Sequence, residues 1–176
     1  MKTFRSLVVL KRPRQELWNA MRDHLVEFSG QIADIEEIRQ IERRVDTDGV
    51  VHIVNEWRVR QQVPAVVRSI LKTGELSWVD RNSWDEAAFT CAWAIEPRFL
   101  TEYIECSGKT MFAEAMGGQG TRVIFEGAFD LKPGVLGSLG SVEALLSGFL
   151  ETIVTTIIPR NLRGVVEAAA RFELPG

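Results

Sequence analysis

From Val51 to Arg60 the chain alternates. Val51, Ile53, Asn55, Trp57 and Val59 fall on one side, His52, Glu56, Arg58 and Arg60 on the other, and Val54 alone is an apolar residue out of phase. A period of two with a wet outer face marks a half-buried antiparallel strand. A sheet that is apolar on one face must have that face covered. The cover lies at the far end of the chain, where Val142, Leu145, Leu146, Phe149, Ile153 and Ile157 make a broad apolar helical stripe. Most of what lies between reads as strand. The pattern predicts an α+β chain with two short helices after the first strand and a curved antiparallel sheet of about six or seven strands against one long C-terminal helix.

The remaining elements follow from local signals. An apolar strand over Thr3–Leu10 leads to Pro13, which suits the first turn of a helix covering about residues 13 to 24. Leu17, Trp18 and Met21 form its apolar face, and Gly30 marks a break after it. Residues 35 to 46 read as a strand loaded with charge, and Asp46-Thr47-Asp48-Gly49 as a hairpin turn. The Val63–Lys72 segment, with Pro64, reads as a short helix or an apolar loop. Strands are expected at about 75–84, 88–96 and 102–116, with Phe89, Cys91, Trp93 and Ile95 on one face of the middle one. Gly117-Gly118-Gln119-Gly120 turns the chain into a last strand with Val123, Phe125, Phe129 and Leu131 on one side. A glycine-rich link over Pro133–Gly140 precedes Ser141, a good N-cap, with Glu143 in the first turn. Pro159 falls inside the final helix and deprives the Thr155 carbonyl of its usual partner, so a kink is expected there. No repeat or linker divides the chain, and residues 1–176 are expected to form one domain.

Composition and motifs exclude several function classes. A net charge of −3 speaks against a dedicated nucleic-acid binder. Cys91 and Cys106 form no CxxC and are expected to be reduced, in a cytoplasmic protein without a signal peptide. The apolar run Ala144–Ile158 contains Glu151 and is too short to span a membrane. Ser107-Gly108-Lys109-Thr110 looks like the end of a phosphate-binding loop, but Tyr103 stands where that motif needs glycine. His24 and His52 sit on different elements with no partner for a triad or a zinc site. No catalytic motif, metal or cofactor is expected.

The apolar strand followed by Pro13, Glu16, Leu17, Trp18 and Asp23 is similar to the Pro-x-x-x-x-Trp-x-x-x-x-Asp opening common in the START-like (SRPBCC) superfamily, which includes birch-pollen-allergen-like proteins and polyketide cyclases. The order of elements resembles that superfamily's helix-grip fold over essentially the whole chain. A narrower likeness, to PRELI-type lipid-transfer proteins, rests on Pro64, Val67, Ile70 and Leu71 followed by Glu75, Ser77 and Asp80; the Glu75–Ser77 spacing departs from their pattern.

The resemblance implies a space between sheet and helix that a hydrophobic ligand fills. On the strand parities above, its lining would be Trp57, Trp78, Trp93, Phe125 and Phe129, with Phe149 and Ile153 from the helix. The alternative is that these residues simply pack as core. Asn55 is the polar exception on its face and would bond either a ligand or a neighbouring side chain. Val66, Val67, Ile70 and Leu71, beside Arg68 and Lys72, would form a lid, a transient membrane contact, or an ordinary helix packed on the sheet edge. The expected function is binding, and by extension transport, of a lipid or other hydrophobic small molecule. The alternative is a polyketide cyclase or aromatase-like enzyme, for which Asp80, Glu105 and Arg58 are the acid–base candidates. Parity turns Arg58 outward, and Asp80, in phase with Leu76 and Trp78, is expected to be a solvated carboxylate at a strand end.

Overall fold

The computed structural model describes residues 1–60, 63–72, 74–99, 101, 104–132 and 143–176. The expected glycine-rich link, the Ser141 cap, Val142 and the Leu71 side chain lie outside the described residues. Strand β1 (Lys2–Leu10) is followed by helices α1 (Arg14–Asp23) and α2 (Leu25–Phe28). Strands β2 (Ile35–Val45) and β3 (Val51–Val59) form a hairpin, and helix α3 (Ala65–Leu71) leads to β4 (Leu76–Asp85), β5 (Thr90–Pro97), β6 (Ile104–Ala115) and β7 (Gly120–Leu131). Helix α4 (Glu143–Thr152), a π turn (Ile153–Ile157) and helix α5 (Ile158–Arg171) end the chain.

The strands pair antiparallel in the order β1-β7-β6-β5-β4-β3-β2, so the first strand closes one edge and the charged second strand forms the other. Register stacks inward-facing residues into rows across the sheet. One row reads Val51, Trp84, Cys91, Thr110 and Phe125; the next reads Ile53, Asn82, Trp93, Gly108 and Gly127; the third reads Asn55, Asp80, Ile95, Cys106 and Phe129. The two glycines of the middle row are steric necessities. A Cβ on Gly108 would stand 2.6 Å from Trp93 Cζ2, and one on Gly127 would stand 2.7 Å from Trp93 Cη2. Their absence lets the Trp93 ring lie across the sheet toward Phe4, whose ring it stacks on at 6.0 Å.

The concave face is filled by α1 and the C-terminal helices. Leu17, Trp18, Ala20 and Met21 bury one side of α1, and the Trp18 indole meets Trp84, Phe89 and Phe112 edge-on. Phe89 is not in the strand assigned to it by its alternation: it ends the preceding turn with a left-handed φ of 49°. On α5, Ile158, Val165, Val166, Ala168 and Ala169 are buried. Pro159 sits at the start of α5, and the five-residue π turn just before it absorbs the missing N–H. Arg12 fixes the other end of α5. Buried itself, it donates to the Ala169 carbonyl at 2.5 Å and to the Phe172 carbonyl, two of the acceptors a helix C-terminus leaves open.

Candidate functional site

Between the sheet and the helices lies a cavity of about 60 Å³, or about 570 Å³ of free space once the open mouth is counted. Its sheet wall comes from the three rows above and from Trp57 in the row beyond them: Ile53, Asn55 and Trp57 on β3, Asp80, Asn82 and Trp84 on β4, Cys91, Trp93 and Ile95 on β5, with Thr110 and Phe125. Met21, Arg22 and Leu25 from α1 and α2, with Leu162 and Val165 from α5, form the opposite wall.

Four polar side chains interrupt this apolar lining. Asn55, Asp80, Asn82 and Thr110 are all buried, and the register places them on one face of the sheet, on β3, β4 and β6. Asn82 donates through Nδ2 to Asp80 Oδ2 at 2.8 Å, while its Oδ1 faces the Cys91 thiol at 3.8 Å. Asp80 Oδ1 has no aligned hydrogen-bond partner, nor have the indole nitrogens of Trp57 and Trp93. Burial pushes the Asp80 carboxyl up to about 6, against the opposing influence of Asn82, Trp57 and Asn55. The expectation of a solvated strand-end carboxylate is thus corrected: Asp80 lies mid-strand and is 8% exposed, because its parity with Leu76 and Trp78 turns it to the concave face.

Charges brace the mouth instead. Arg22 holds Asp23 through two nitrogens, at 2.9 and 3.0 Å, and reaches Glu86 with the third at 2.8 Å. Asp23 also accepts from Arg43 on β2 at 2.8 Å, and Gln15 donates to Glu86 at 2.8 Å. This set ties α1 both to the sheet edge and to the turn between β4 and β5. Burial pushes the Asp23 carboxyl up, but the guanidiniums of Arg22 and Arg43 outweigh it and hold the pKa below the ordinary value. Hydrogen bonds from Arg22 and Gln15 likewise hold Glu86 down.

The residues picked out by alternation divide in space. Trp57, Asn55, Trp93 and Phe125 surround the cavity. Trp78, Phe129 and Ile153 surround a separate interior gap of about 10 Å³, room for one water at most. Phe149 is half-buried against the core and borders neither space. Glu105 is exposed and paired with Lys132 at 2.5 Å, and Arg58 reaches Glu37 on the outer face at 2.5 Å. Val67 is fully buried and Val66 exposed, so α3 packs one valine on the core and leaves its neighbour in solvent. Alternation missed Asn82, Thr110 and Trp84. Asn82 could have been found from Asp80 by its spacing of two; Thr110 had no such signal, because a threonine in a strand faces either way.

No family model and no curated protein sequence matches the chain. Solved structures do. ZhuI aromatase/cyclase from Streptomyces sp. R1128 superposes with a TM-score of 0.67 at 15% identity, covering 97% of this chain and 94% of that one. TTHA0849 from Thermus thermophilus gives 0.65 at 15% identity, over 96% and 97% of the two chains. Ara h 8.0201 gives 0.57 at 15% identity, over 96% and 95%. The fold is a helix grip. Identities this low speak for the fold alone; in the helix grip of this chain the sheet is seven-stranded and the gripped segment is α4, the π turn and α5. Among the described residues no helix is long and apolar enough to cross a membrane.

Proposed function

We propose that this chain binds a compact hydrophobic small molecule in the cavity between its sheet and its C-terminal helices. The observation that carries the reading is the lining: Trp57, Trp84, Trp93 and Phe125 meet in a space that opens to solvent beside α1. Aromatic walls of this kind favour an apolar occupant over water. At about 60 Å³ the cavity is smaller than ordinary ligand pockets, so a ligand of even one or two rings requires the wall formed by Met21, Leu25 and Leu162 to yield. That one neighbour in fold is an aromatase/cyclase is in keeping with this use of the space.

Two measurements test it. Native mass spectrometry of the purified protein is expected to show a co-purified adduct, and naphthalene, a neutral two-ring probe, is expected to bind and change the emission of the cavity tryptophans. Ligand-free preparations that also fail to bind the probe would overturn the reading.

A second reading is favoured by the polar set. Asp80, Asn55, Asn82 and Thr110 converge inside the same space, and a carboxylate with a pKa near 6 is suited to act as a general base at neutral pH. On this reading the chain promotes cyclisation of a polyketide-like substrate, with Asp80 accepting a proton from the carbon acid. A poly-β-ketone thioester should then cyclise faster than its spontaneous rate, with a loss of roughly 10²-fold or more in Asp80→Asn. Equal rates with and without protein would remove it.

A further inference from the structure

Asp80 is a buried carboxyl group beside neutral donors, Asn82, Trp57 and Asn55, and among the described residues no cation is paired with it. Among the described residues lining the cavity, the titratable groups are Asp80 on β4, Cys91 on β5 and Arg22 on α1. The Cys91 thiol is buried and its pKa is raised by burial first and by Asp80 second, so it stays neutral. Arg22 is fully engaged: Nε and Nη2 hold Asp23, and Nη1 holds Glu86. Asn82 satisfies Oδ2, while Oδ1 has no aligned hydrogen bond, although Trp57 and Asn55 favour the charged form from nearby. Around it stand the ring systems of Trp57, Trp84 and Trp93.

A carboxylate in such a place calls for a donor from the ligand. A neutral hydroxyl would complete the hydrogen bond but leave the charge unanswered. An ammonium group completes both, and aromatic faces add attraction to a cation without competing for its protons. The charge already buried in the protein lowers the cost of bringing in its opposite, since an unpaired buried ion is the more costly state. We infer that the cavity selects organic cations, its ligand being a compact aryl or alkyl amine whose ammonium group bonds Asp80 Oδ1 while its apolar body lies against Trp57, Trp84 and Trp93. This rests on the cavity reading above and narrows it from hydrophobic molecules in general to amphiphilic amines.

Three probes of nearly equal size separate the two claims: toluene, benzyl alcohol and benzylamine, titrated against tryptophan fluorescence and checked by isothermal calorimetry at about pH 7.5. All three are expected to bind, benzylamine at least about tenfold more tightly than benzyl alcohol. In Asp80→Asn the ratio of benzylamine to benzyl alcohol affinity is expected to fall to about one. Because that variant also alters the polar network, the wild-type protein supplies an independent arm: as pH falls from about 7.5 to about 5, through the Asp80 titration, the amine preference should shrink while toluene affinity holds. Benzyl alcohol binding as well as benzylamine in the wild type, or an amine preference that survives both the substitution and the acid, would overturn the cation assignment and leave the cavity reading standing if toluene binds. If none of the three binds, both fall together.

Discussion

Asp80 is a buried carboxyl whose pKa burial raises, and its effect on stability has a definite sign. Burial raises its pKa from 3.8 to about 6, so between those values the folded chain keeps a proton that the unfolded chain has released. The folded state then binds more protons, and stability falls as pH rises through this window. Its contribution is intact below about pH 4 and lost above about pH 6, a swing of about 3 kcal/mol for a shift of roughly two units. Asp80→Asn should therefore stabilise the protein at about pH 7.5 by up to that amount and give no gain at about pH 4, as read from urea melts at the two values. The two thiols make a simpler case. Burial pushes Cys106 up to about 12 and Cys91 well above the ordinary range, so neither should be alkylated by iodoacetamide at about pH 8 until the chain unfolds. The place of Asp80 was hard to read from sequence. A lone carboxylate among strand residues is ordinarily solvated, and only its phase with Leu76 and Trp78 pointed inward. Asn55, by contrast, was legible at once, because an amide on an otherwise apolar face has to find a buried partner.

At the level of elements, two junctions bear most of the constraint. The glycine pair Gly108 and Gly127 is a floor for Trp93, and any added carbon intrudes on that ring. Gly127→Ala should destabilise by about 1–3 kcal/mol and shift the tryptophan emission, since the side chain that yields is a wall of the cavity. A melt unchanged from wild type would show that the ring is free to move. The second junction is Arg12, which comes from the strand-to-helix link at one end of the chain and closes the last turn of α5 at the other. Its own carbonyl accepts from Thr121 at 2.7 Å, so β7 takes part as well. Arg12→Leu should cost about 2 kcal/mol and raise amide exchange over residues 165–171 specifically. Neither junction shows in a one-dimensional pattern. Gly108 reads as a break in a strand, and Arg12 reads as surface charge, because what each accommodates lies far away in sequence.

Across the whole molecule, the fold was the more legible part. Alternation on β3 and the apolar stripe of the final helix state that one must cover the other, and a chain with these lengths has few ways to comply. The strand boundaries expected from pattern fall within a few residues of those observed. The cavity was harder to foresee, because whether large rings touch or stand apart depends on packing across five strands and three helices. Trp78 and Trp93 have the same alternation signal, yet one borders a nearly filled gap and the other an open space. Binding a ligand at a hundred times its dissociation constant should raise global stability by about 2.7 kcal/mol, measurable as a shift in melting temperature. How fast that ligand comes and goes is a separate matter. The ions joining α1 to β2 and to the turn after β4 sit at the water's edge, where mobile counter-ions reach them. Going from about 0.1 M to about 1 M salt shortens the screening distance from about 10 Å to about 3 Å. If a ligand enters past these ties as proposed, its arrival and departure should both quicken at the higher salt, as stopped-flow fluorescence would read.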